Sequence, residues 1–206
     1  SSADINAGRA VTFGAAKSGT LTTAGDILTT DDNITFTRAV TLFGAVDLDT
    51  TGTAAGNILF SSTIATAGFA LALDAGPSGN ITLSGNLTGG GAMTVRDGNA
   101  QAYAALTVGS LNIQDATTSI TFNGSVTATG SITVTSGGSV SQSGAFSAGG
   151  TTTITSTGSG NLALTSITAT NQPVTLSAPG GSITQASGSI TASTLEITAS
   201  TGIGTA

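Results

Sequence analysis

Chemistry in this sequence falls to its carboxylates, because the other usual actors are missing. The 206 residues include ten Asp and Glu against four Lys and Arg, with no histidine and no cysteine. That excludes histidine acid/base catalysis, zinc or haem ligation by His or Cys, and disulfides. Paired acids could still hydrolyse a glycosidic bond or hold calcium. The best constellation is Asp47 and Asp49, two apart and so on one strand face, with Asp74 near the place of Asp49 one repeat later. Arg96 falls at the same place in the following repeat, so Asp49, Asp74 and Arg96 read better as a surface charge ladder than as an active site. Asp31 and Asp32 precede Asn33 at a corner, where Asp and Asn are ordinary turn formers. No Gly-Gly-x-Gly-x-Asp calcium repeat occurs, and from Ala116 onward the one charged residue is Glu196, which confines any hydrolytic site to the first half. A carbohydrate-active enzyme is therefore the weakest of the functional readings, and no cofactor is implied.

Charge narrows the partners. The net charge is -6 and the basic residues are Arg9, Lys17, Arg38 and Arg96, too few to neutralise a run of phosphates, which argues against nucleic acid. No apolar run reaches the 18 or so residues of a membrane helix, and no basic start leads into an apolar stretch, so any export signal is expected outside this segment. Aromatic residues make up 4% and charged residues 7%, with 30 glycines and a mean hydropathy of +0.33. The chain is too apolar for disorder and too poor in large side chains for an ordinary core.

The elements that must position these residues announce themselves as repeats. Asn or Ser followed by alternating apolar residues recurs at Asn33-Ile34-Thr35-Phe36, Asn57-Ile58-Leu59-Phe60, Asn80-Ile81-Thr82-Leu83, Ser119-Ile120-Thr121-Phe122, Ser139-Val140-Ser141-Gln142, Asn161-Leu162-Ala163-Leu164 and Ser182-Ile183-Thr184-Gln185. The intervals are 24, 23, 39, 20, 22 and 21 residues, within the range of solenoid repeats, and the 39 is close to two units. A second register follows at Val40, Ile64, Leu87, Val126, Phe146, Ile167 and Ile190. A third closes each unit with a pair such as Val46 and Leu48, Leu71 and Leu73, or Ile132 and Val134.

Each unit thus holds three short period-two segments divided by Gly, Ser and Asn, and Thr, Val and recurring glycine disfavour helix. The expected fold is all-β: a right-handed parallel β-helix of roughly nine coils, about 4.8 Å apart, forming a rod about 40 Å long. Like residues stack in such a rod, so Ile34, Ile58, Ile81, Ile120, Val140, Leu162 and Ile183 should form an inner column. Asn33, Asn57, Asn80 and Asn161 should form an amide ladder at one corner. Gly56, Gly79, Gly138, Gly160 and Gly181 precede the phrase, where a positive φ would suit glycine. Residues 1–206 read as one repeat domain and as a segment of a longer shaft. Residues 98–118 are irregular, better read as an extra coil than as a loop, and the first thirty residues keep the composition but not the frame. Tyr103, in the irregular stretch, reads as core filler before sugar platform.

Outward positions are rich in Thr and Ser, which suits a solvated β surface. Thr35-x-Thr37, Thr133-x-Thr135 and Thr153-x-Thr155 read as lying in different registers, which weakens any regular array that binds ice or a crystal face.

The phrases Gly-Asn-Ile-Thr-Leu-Ser-Gly (79–85), Ser-Ile-Thr-Phe-Asn-Gly-Ser-Val-Thr (119–127) and Ala-Pro-Gly-Gly-Ser-Ile-Thr-Gln (178–185) resemble the repeats of filamentous haemagglutinin-like adhesins. That resemblance covers most of residues 26–206. It implies a β-helical shaft exported by two-partner secretion or as an autotransporter passenger, standing on the bacterial outer surface or secreted, and serving adhesion. Its partners would be neighbouring coils or subunits end to end, and a host, microbial or carbohydrate surface. No polar cap is visible at either end, so the expectation is a piece of a longer rod or rods stacked into a fibre.

Overall fold

The computed structural model describes residues 4–14, 19–52 and 56–205; Lys17 lies outside them. The chain winds into a parallel β-solenoid of about nine coils with three strands per coil, and no helix occurs among the described residues. Ten strands stack as face one, from Val11–Phe13 through Ile81–Leu83 to Gly202–Thr205. Face two holds the second strand of each coil, such as Val40–Leu42 and Val126–Ala128, and face three the third, such as Val46–Asp49 and Ile132–Ser136. In the last coils Ile167–Ala178 and Ile190–Ala199 run through the corner between faces two and three, with a register shift between Ala169 and Pro173. Those continuous strands join the two faces into one sheet.

Period two decides which side chains go in. Along face one the inner column runs Val11, Ile34, Ile58, Ile81, Gln101, Ile120, Val140, Leu162, Ile183 and Ile203, each paired directly with the next. Ile34, Ile58, Ile81, Ile120, Val140 and Leu162 are fully buried. Each such aliphatic contributes about 1.5–3 kcal/mol on leaving water, and the parallel ladders satisfy the backbone groups that go in with them. A second inner column stacks Phe13, Phe36 and Phe60 face to face, with ring centroids 4.7 and 4.4 Å apart. Further along, Phe122 lies against Tyr103 and sits edge-on to Phe146.

Residues 98–118 are a full coil, with strands Ala100–Tyr103, Leu106–Val108 and Leu111–Ile113 paired to the coils on both sides. The phrase is unrecognisable there because Gln101 takes the isoleucine position. Its amide is satisfied inside: Nε2 donates to the Asp115 carbonyl at 2.6 Å, and the Tyr103 hydroxyl donates to Oε1 at 2.7 Å. Tyr103 is therefore core, completely buried, and burial pushes its hydroxyl pKa well up. The first residues also keep the frame, with Val11 opposite Ile34, Leu21 opposite Val40 and Ile5 opposite Ile27. Only the third strand is offset, placing Ile27 against Leu48 rather than Val46.

The corner glycines need correction. None of Gly56, Gly79, Gly138, Gly160 and Gly181 has a positive φ. They are required by close approach: a Cβ on Gly79 would sit 2.0 Å from the Gly56 carbonyl oxygen, and one on Gly138 would sit 1.7 Å from that of Thr118. Coil-to-coil spacing, not backbone handedness, selects glycine there.

One inward position breaks the apolar rule without compensation. Thr152 pairs with Ile132 on one side and Val174 on the other, is fully buried, and its hydroxyl has no hydrogen-bond partner.

Candidate functional site

The carboxylates gather on face three and its flanking corners in the early coils. Asp49 pairs directly with Asp74, as the sequence suggests. Arg96 follows in the next coil, its backbone N–H donating to the Leu73 carbonyl at 2.9 Å. Its guanidinium, however, is aimed elsewhere. It reaches two coils back to Asp47, donating from Nη1 to Oδ1 at 2.8 Å and from Nη2 to Oδ2 in a bidentate pair. The column of Asp47 continues with Ala72 and then Thr94, so the arginine, two residues beyond Thr94, crosses diagonally to reach it. The charge ladder therefore exists as a stack of positions, but its ion pair belongs to Asp47, a partner the simple stacking did not supply.

Asp49 and Asp74 are engaged locally. Asp49 accepts from the Thr51 N–H at 2.7 Å and its hydroxyl at 2.6 Å, and Asp74 accepts from the Gly76 N–H at 3.1 Å. Burial raises the Asp74 pKa, with the neighbouring Asp49 adding to the rise and the Gly76 N–H opposing it. Asp97 is likewise raised, first by burial and then by Asp115, against the bond from its neighbour Gly98. A third feature was not read from the sequence: Asp4 accepts from the Asp26 N–H at 3.1 Å, and Asp26 accepts from the Asp47 N–H at 2.8 Å. These acids staple successive coils. Among the described residues no group of three or more is placed to hold a metal ion.

The asparagine corner behaves in the same way. Asn33 Oδ1 accepts from both the backbone and the amide of Asn57, Asn57 Oδ1 accepts from the Asn80 N–H, and Asn80 Oδ1 accepts from Ala100 N–H and Asn99 Nδ2. Beyond the gap, Ser139 Oγ accepts from the Asn161 N–H and Asn161 Oδ1 accepts from the Ser182 N–H and hydroxyl. Most rungs are side-chain oxygen to backbone N–H, so Ser can replace Asn without breaking the series. Asn99 and Ser139 were missed because the phrase is disguised at one and the residue type changes at the other.

Two outward features carry more information than composition suggested. Phe43 is 76% and Phe69 is 40% exposed. Both lie at the corner between faces two and three in successive coils, between Val40–Leu42 and Val46–Asp49 and between Ile64–Ala65 and Leu71–Asp74. Their signal in the sequence was present: both are large apolar residues beside glycine and outside all three inward registers. The threonine pattern also needs revision. Thr133-x-Thr135 and Thr153-x-Thr155 share one register, pairing residue for residue on face three, and Thr175-x-Ser177 continues it. Only Thr35 stands apart, on face one.

No protein-family model, no curated protein and no solved structure matches this chain. Among the described residues no helix is long and apolar enough to cross a membrane.

Proposed function

We propose that this chain is a non-catalytic shaft segment of an extracellular bacterial adhesin. One observation carries the reading: on face one the coils repeat without interruption from Val11–Phe13 to Gly202–Thr205. A rung of fixed perimeter adds about 4.8 Å of length and little else, which is the property of a spacer. The filamentous haemagglutinin-like phrases agree with that role. The adhesive contact is assigned to Phe43 and Phe69, which spend apolar area on solvent rather than on the core.

Beads coated with the purified chain should attach to host cells, bacterial films or polysaccharide-coated plates above albumin-coated controls. The double variant Phe43→Ser, Phe69→Ser should lose that attachment while keeping its circular dichroism. Absence of attachment by the unaltered chain removes the adhesive part of the reading; the spacer part fails if electron microscopy shows compact particles instead of short rods.

A second reading, a fibre subunit, is favoured by one feature of the last coils. Leu195 and Ile203 are 46% and 61% exposed, and Ile203 with Ile190 and Ile197 rims a cavity of about 260 Å³ over Leu164, Leu176 and Ile183. Another coil seats naturally there, and a second copy could supply it. Sedimentation that stays monomeric as concentration rises would exclude this reading for the 206-residue chain.

A further inference from the structure

Face three changes character along the rod. In the early coils it carries Asp47, Asp49, Asp74 and Arg96, whereas three later coils present Thr133 and Thr135, Thr153 and Thr155, and Thr175 and Ser177. The pairing is residue for residue, with five consecutive partners between Ile132–Ser136 and Thr152–Ser156 and no shift into 174–177. Beneath the six hydroxyl-bearing residues lie the buried Val134, Ile154, Val174 and Leu176, which fix the sheet from inside. The result is a grid repeating at about 4.8 Å along the axis and about 6.6–7 Å across it. It is bounded by Asn112 before Thr133 and by Glu196 after Thr175.

A second observation sets this grid apart from the threonines at corners. The hydroxyls of Thr37, Thr117, Thr118, Thr129 and Thr157 donate to backbone carbonyls of other coils. None of the six grid hydroxyls has a hydrogen bond among the described residues. Each therefore leaves its donor and acceptors open to solvent or an outside partner, held at fixed intervals, with the methyl groups of the five threonines between. No charge and no aromatic ring lies within the grid. The planar amides, carboxylates and rings that sugar-binding faces use are missing from it, whereas a lattice of water asks only for regularly spaced hydroxyls and small apolar gaps.

We propose that this grid is a docking face for an ordered water lattice, binding weakly to ice crystals. The proposal is independent of the adhesin reading, since it rests on a different face and different coils. The test uses the purified 206-residue chain in slowly grown ice and in frozen films scored for recrystallisation. The chain should partition into ice and slow grain growth. Thr153→Lys, at the centre of the grid, should abolish both, as should Thr175→Lys, while Thr82→Lys on face one should leave both unchanged; circular dichroism checks that each variant is folded. Exclusion of the unaltered chain from ice overturns the proposal, as does equal ice binding by Thr153→Lys or equal loss in Thr82→Lys. Retention on crystalline cellulose or chitin that Thr153→Lys abolishes, with no effect on ice, overturns it in favour of a polysaccharide ligand.

Discussion

Thr152 is the one buried side chain among the described residues whose polar atom has no partner. Removing an unsatisfied hydroxyl without changing shape recovers its desolvation cost, so Thr152→Val should stabilise the chain by about 1–3 kcal/mol, read as a higher midpoint in urea. A second residue-level expectation concerns Asp74, whose folded pKa lies above the ordinary carboxylate value because of burial. The folded chain then holds that proton more tightly than the unfolded chain. Its contribution to stability therefore rises as pH falls from neutral through the raised pKa, and levels off once the unfolded carboxylate is also protonated. Asp74→Asn should raise the melting temperature at neutral pH and reduce the gain on acidification; thermal melts of both proteins across that pH window compare directly. Asp97 acts in the same direction.

At the scale of the element, the coil is the unit of construction and the sequence reveals it unevenly. The inward registers were readable because Ile58, Ile64 and Leu71 recur at near-constant spacing and period two places them on one side. The coil at 98–118 was obscured by Gln101, since a buried glutamine satisfied by Asp115 and Tyr103 breaks the apolar alternation that marks the other coils. The Arg96 to Asp47 pair was illegible because it depends on the reach of the arginine across two coils and from one column to the next, which periodicity does not encode. The shared register of Thr133 and Thr153 is masked in the sequence because the similar Thr35-x-Thr37 pattern begins on another face. If coils are interchangeable, deleting residues 119–138 should bring Ser139 onto the partners of Ser119, because both open the same phrase. The shortened chain should melt cooperatively with an unchanged β-type circular dichroism spectrum; loss of folding would mean that the coils are not equivalent.

At the scale of the molecule, stability should grade along the axis. Interior coils have neighbours on both sides, whereas Ile5–Ala7, Val11–Phe13, Leu21–Thr23, Ile190–Ala199 and Gly202–Thr205 pair on one side only, and nearest-neighbour stacking makes such rungs the first to open. Amide hydrogen exchange should therefore be fastest in those end segments and slowest across Ile81–Leu83 to Ile132–Ser136. Uniform exchange would indicate an all-or-none solenoid instead.

The distribution of carboxylates has an electrical consequence. Five of the six net negative charges fall within residues 1–115 and one within 116–206, so a rod wound in sequence order is a permanent dipole with its negative pole in the opening coils. At low ionic strength, where screening reaches over tens of ångströms, such particles turn in an applied field and lie side by side more easily in opposed than in matching orientation.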